Sequence, residues 1–201
     1  EINPKLVDAW RLEGSALDDL EKYEDAIACF DKAIELEPNH AIAWRHKGIT
    51  LTNGLEKHEE ALECFDKARE IDPDEKKVYL NIANTYQEIR DFEKAISYFD
   101  KAIEKDPNWT AAIFDKAVTY EREIDDKEKA DECFKQVIKI KKYARTDLYC
   151  KIYAFMELKK WDEALECCEE RLSMTPITDA DKRMYHNRQA YAFNELKKYE
   201  D

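Results

Sequence analysis

AWRLEGSALDDLEKYEDAIACFDKAIELEP, residues 9–38, is the stretch whose reading decides the architecture. Trp10, Gly14 and Leu17 recur at helical spacing, so a bulky group, a gap and a second bulky group share one face. Glu21-Lys22-Tyr23 reads as a short connector. Ala26, Phe30 and Ala33 then form a second apolar stripe, and Pro38 ends that helix because it cannot donate to the helical ladder. Gly14 and Ala26 are the small faces that let two such helices meet closely.

Working outward, the same grammar returns. The five prolines (Pro4, Pro38, Pro73, Pro107, Pro176) are separated by 34, 35, 34 and 69 residues, a period that signals stacked supersecondary units. The bulky-small-bulky trio recurs as Trp44, Gly48, Leu51, then Tyr79, Ala83, Tyr86, then Ile113, Ala117, Tyr120, then Leu148, Ile152, Phe155. The second stripe recurs as Ala61, Phe65, Ala68, as Ala95, Phe99, Ala102, and as Ala130, Phe134, Val137. The units run 7–40, 41–75, 76–109, 110–144 and 145–178, with a partial sixth over 179–201 and residues 1–6 as the tail of a preceding unit.

On Trp10, Gly14, Ala26, Phe30, Ala33 and Pro38 the chain resembles the tetratricopeptide repeat, and the resemblance extends over essentially the whole sequence. It implies an all-α fold: a right-handed superhelical α-solenoid of antiparallel helix pairs, with five full repeats and a first helix of a sixth. Pro every 34 or so residues rules out one continuous coiled coil.

The departures from the pattern are specific. Leu51 to Ala61 and Tyr120 to Ala130 are ten-residue steps where the other units take nine, so each carries one extra residue in its turn. Lys142 stands in place of a proline. Cys168 and Arg171 replace the expected Phe and Ala, which predicts less regular packing of the fifth second helix. Four residues are added between Pro176 and Ala190, about one helical turn, with Thr178 or Asp179 as the N-cap. Both ends read as cut through a repeat, and bare apolar ends would favour end-to-end self-association.

Lys+Arg 33 against Asp+Glu 46 gives a net charge of -13, which disfavours a nucleic-acid partner and an anionic membrane surface. No apolar run reaches the roughly 20 residues of a membrane span, and no leader pattern opens the chain. Cys29, Cys64, Cys133 and Cys167 precede the same helical position in their units, so they read as small, partly buried apolar residues of a cytoplasmic protein. Without a Cys-x-x-Cys pair or clustered histidines, no metal or cofactor is expected. With three glycines and no Ser or Cys beside a His, neither a phosphate loop nor a nucleophilic site is expected, and the chain is not read as an enzyme.

The resemblance places first helices along a concave groove and binding side chains between the packing positions. In this register Arg11, Arg45, His46, Lys77, Asn81 and Asn84 form a basic and amide-rich half. Phe114, Val118, Tyr149 and Tyr153 form an aromatic half, with Asp115 among them and Arg188 beyond. These are candidate peptide-binding residues: the cations for carboxylates or acidic segments, the aromatics for apolar anchors. The competing expectation is that the cations pair with neighbouring acids and the aromatics meet the opposite helix. A family subclass that clamps chaperone C-termini wants asparagines where Ser15 and His46 stand, so that specificity is not assigned. The functional expectation is a protein-interaction scaffold, with a rigid spacer of a larger protein as the alternative.

Overall fold

A computed structural model describes residues 4–141, 147–174 and 177–200. The expected irregularity at Lys142 and the proline at 176 lie outside the described residues. The chain divides into two compact units, Glu1–Pro107 and Asn108–Asp201.

The first unit stacks three helix hairpins: α1 (Pro4–Asp19) on α2 (Tyr23–Leu36), α3 (Ala41–Asn53) on α4 (His58–Ile71), and α5 (Lys76–Glu88) on α6 (Phe92–Lys105). The first helices also touch in series, α1 to α3 and α3 to α5. Helix α1 begins at Pro4, inside the segment expected to trail from an earlier repeat. A proline suits a first helical position because its N–H would have no partner there anyway.

Hairpin closure depends on size complementarity. A Cβ built on Gly14 would lie 2.7 Å from the Phe30 ring, and one on Gly48 would lie 2.6 Å from the Phe65 ring. Phe30, Phe65, Phe99 and Phe134 are all fully buried, each contributing about 1.5–3 kcal/mol of burial. The first trio position has a second use. The Trp44 indole N–H donates to the Pro38 carbonyl and the Tyr79 hydroxyl to the Pro73 carbonyl, both at 2.9 Å, tying each first helix to the preceding turn.

The second unit comprises α7 (Thr110–Thr119), α8 (Lys127–Lys139), α9 (Leu148–Glu157), α10 (Trp161–Ser173) and α11 (Asp179–Glu200). Thr178 caps α11, its Oγ1 accepting from the Asp181 N–H at 3.1 Å, as expected from sequence. In the fifth hairpin the small residue, Cys168, is on the second helix and the larger one, Ile152, on the first, both fully buried. Ile152 of α9 stands where the other units have Gly or Ala, and both Ile152 and Cys168 are buried in one cluster. The large partner has moved from the second helix to the first.

The connections share a device that glycine does not mark. Glu21, Glu56, Arg90, Asp125 and Lys159 all adopt left-handed backbone, with φ of 59°, 54°, 62°, 59° and 57°. The next residue's N–H closes each turn on the third trio residue: Lys22 on Leu17, Asp91 on Tyr86 and Lys160 on Phe155. Where the sequence has its extra residue, the same bond spans one position more, Lys57 to Leu51 and Asp126 to Tyr120. In the latter the insertion is wound into a π turn, Tyr120–Ile124, extending α7. Gly54 serves close approach and not φ, since a Cβ there would lie 2.4 Å from the Tyr23 ring.

Candidate functional site

In the first unit the candidate residues project from α1, α3 and α5. Arg11 donates from Nε and Nη2 to the Asp8 carboxylate one turn back, at 3.2 and 3.1 Å. Arg45 Nε lies 3.5 Å from the Glu75 carboxylate, an ionic contact without hydrogen-bond geometry, and this buried nitrogen has no hydrogen-bond partner among the described residues. For these two arginines the competing expectation of local ion pairing holds. Lys77 has no carboxylate within ion-pair distance among the described residues.

His46 lies at the centre of a directed network. A guanidinium only donates, so the 3.1 Å contact from Arg45 Nη2 makes His46 Nε2 the acceptor and leaves the proton on Nδ1. Nδ1 then donates to Ser15 Oγ at 3.0 Å, and Ser15 donates to the Arg11 carbonyl at 3.1 Å. Burial, reinforced by the charges of Arg45, Arg11, Lys77 and His40, pushes the His46 pKa down to about 4. The imidazole is neutral and gives its proton towards Ser15. It therefore does not activate that hydroxyl as a nucleophile, although Ser15 and His46 share the wall of a pocket of about 220 Å³.

Asn81 and Asn84 sit one turn apart on α5. Both carboxamide oxygens are buried without a hydrogen-bond partner among the described residues. A buried acceptor left unpaired costs about 1–3 kcal/mol, so this pair is a place where the folded chain retains unused hydrogen-bonding capacity.

In the second unit Phe114 is only 9% exposed. Its ring meets Tyr153 edge-on at 5.3 Å, Tyr149 edge-on at 5.9 Å and Phe134 at 6.3 Å. Val118 is half-buried on the same helix. Arg188 of α11 lies over Tyr149 at 4.7 Å and beside Tyr153 at 5.9 Å, close enough for cation–π attraction. Phe114 thus supports the two tyrosines from beneath, while Tyr149, Tyr153 and Arg188 are part-buried on the face. Burial alone raises the Asp115 carboxyl to about 6. The Cys150 thiol rises to about 12, chiefly by burial and then by Asp115, and is inert at neutral pH.

Sequence reasoning missed the groups delivered by the π turn. Tyr153 donates to Glu121 Oε2 and accepts from Arg122 Nη2, both at 2.9 Å. Glu157 stands against Glu121, and burial with that like charge raises its pKa, offset in part by Lys127 at 3.5 Å. The one-residue insertion was the available signal, but its helical winding was not. Among the described residues no helix is long and apolar enough to cross a membrane.

Two tetratricopeptide-repeat family models match the chain, over residues 7–40 and 111–143. A third model, regulator of microtubule dynamics protein 1-3, matches residues 56–124. Among solved structures, MamA 41-end from Desulfovibrio magneticus RS-1 is 27% identical, with a TM-score of 0.60 over 67% of this chain and 75% of that one. A thermophilic TPR protein from Thermus thermophilus shares the fold at 19% identity, with a TM-score of 0.67 over 93% of this chain and 98% of that one. Another MamA structure does so at 17% identity, with a TM-score of 0.64 over 88% and 99%. No curated protein sequence matches. The chain carries tetratricopeptide repeats and the all-α solenoid fold they build, a class that serves generally as protein-interaction scaffolds.

Proposed function

We propose that each unit holds an extended segment of a partner protein on its own first-helix face. In the first unit, Asn81 and Asn84 would pair with the segment's peptide groups, while Lys77, backed by Arg45 and Arg11, would meet a carboxylate. In the second unit Tyr149 and Tyr153, propped by Phe114, would supply apolar contact area.

The observation that carries this reading is the pair of buried, unpartnered carboxamide oxygens of Asn81 and Asn84. They stand on the same helix as Lys77, a lysine with no carboxylate beside it among the described residues. A segment laid across α5 would pair the lysine, and a turn of either part-buried asparagine side chain would bring its carboxamide to the segment. Arg11 and Arg45 contribute less directly, because each already has an acidic neighbour. A reducing, cytoplasmic setting accords with six cysteines that form no disulfide among the described residues.

The test is a peptide selected from a display library against the whole chain. Lys77→Gln should weaken its binding about tenfold, the size of one charge-assisted hydrogen bond. Equal affinity for wild type and Lys77→Gln refutes the assignment of the carboxylate site.

A further inference from the structure

Between α9 and α11 of the second unit lies a pocket of about 700 Å³. That volume falls within the range of about 300–1,000 Å³ typical of ligand clefts. Tyr153, Met156, Met184 and Tyr191 give it a largely apolar wall, and Arg183 and Arg188 enter from α11. Tyr191 is 52% exposed. Methionines are adaptable surfaces, suited to side chains of varied shape.

The two arginines set this pocket apart in a chain of net charge -13. Elsewhere cations find acids readily, as Lys47 does with Asp31 at 2.6 Å and Arg69 with Asp66 at 2.8 Å. Among the described residues neither Arg183 nor Arg188 has a carboxylate within ion-pair distance. Arg188 is held instead by weak acceptors, the Tyr149 face at 4.7 Å and the Met156 sulfur 3.8 Å from Nη1. Those contacts fix the guanidinium plane while leaving donors unused, which is preorganisation for a carboxylate.

We infer that this pocket binds a partner segment in which acidic side chains flank a bulky apolar one. The apolar side chain lies against Met156, Met184 and Tyr191, and the carboxylates pair with Arg188 and Arg183. Side-chain carboxylates are assigned over a chain terminus because two arginines call for two anions and a terminus supplies one. Glu157 stands in the same wall as a competing anion, so it opposes the ligand and limits how acidic a bound segment can be. The inference rests on the first-helix-face reading above and assigns the second unit its own ligand chemistry.

The experiment uses fluorescence anisotropy with the whole chain and a dye-labelled, C-terminally amidated peptide, Ser-Asp-Phe-Glu-Leu-Ser. One control carries Asn and Gln at the acidic positions, and a second is that neutral peptide with a free C-terminal carboxylate. The acidic peptide should bind and both controls should bind at least about tenfold more weakly. Arg188→Lys and Arg183→Gln should each weaken the acidic peptide several-fold, and Glu157→Gln should tighten it. Arg183 is exposed, so its replacement tests the site without disturbing the fold, and thermal melting verifies this. Equal binding of the neutral amidated peptide, or indifference to both arginine replacements, overturns the inference, as does absence of binding. A free-terminus control that binds as well as the acidic peptide overturns the side-chain assignment. Lys77→Gln and Asn81→Ala separate the two claims. If they abolish binding while the arginine variants do not, the pocket is refuted and the first-unit reading stands. The reverse pattern supports the pocket, and the first-unit reading is then judged by its own selected peptide and Lys77→Gln.

Discussion

Acidification should strike this fold at His46. The folded chain holds that imidazole neutral, pushed from 6.5 down to about 4 by burial and by Arg45, Arg11 and Lys77. The unfolded chain leaves it near 6.5, so between these values the unfolded state binds the extra proton. The stabilisation is therefore fully present above about pH 6.5 and is lost progressively as pH falls towards 4. At about 1.4 kcal/mol per pH unit the ceiling is about 3.4 kcal/mol, and partial exposure of the ring brings the expected loss to about 1–2 kcal/mol. For a chain of this length that is about 2–8 °C in melting temperature. His46→Gln keeps a hydrogen-bonding side chain but cannot titrate, so its melting temperature should fall less between pH 7 and pH 4 than that of wild type. Carboxylates titrate equally in both proteins and cancel in the difference. Proton NMR should show the His46 imidazole still neutral at pH 5. Binding of an acidic peptide near Lys77 should move that titration upwards, because a new anion offsets the cations that depress it. Parallel pH profiles for the two proteins, together with a His46 imidazole that titrates above pH 6, would refute this prediction.

Other consequences concern the repeat geometry. Arg90→Gly should stabilise the first unit by about 0.5–1 kcal/mol by relieving a left-handed residue, and Arg90→Val should destabilise it by more, as measured by urea unfolding. Phe99→Ala removes a fully buried ring and should cost about 3–5 kcal/mol. Ile152→Ala should cost about 2–4 kcal/mol, and adding Cys168→Phe should restore much of it, since the pair restores the arrangement of Ala83 and Phe99. A double mutant no more stable than Ile152→Ala would count against the exchange of partners described for that hairpin.

The helices and their packing stripes were legible because a single stripe of Trp10, Gly14, Phe30 and Ala33 repeats in register, and each copy corroborates the rest. What escaped depends on contacts between copies or on backbone conformation. Left-handed turns are normally announced by glycine, yet Glu21, Glu56, Arg90, Asp125 and Lys159 occupy them, so composition is silent there. Cys168 read as a defect because its compensation, Ile152, lies on the other helix. The Asp8–Arg11 pair, three residues apart, was visible in principle, whereas Arg45–Glu75 bridges two repeats and needed the fold. Phe114 fell in a groove register by spacing, but the neighbouring Tyr149 and Tyr153 cover it. The unpaired state of Asn81 and Asn84 is a property of their surroundings, which no local pattern encodes.

That unpaired state permits the most direct test of the central claim. Asn81→Ala combined with Asn84→Ala removes two buried acceptors that bond to nothing within the described chain. The measurement is binding of a display-selected peptide to the double mutant, with urea unfolding run on the same protein. Binding should weaken at least about tenfold while stability stays equal to wild type or rises. Undiminished affinity, or a loss of stability comparable to that of a core deletion, would contradict it.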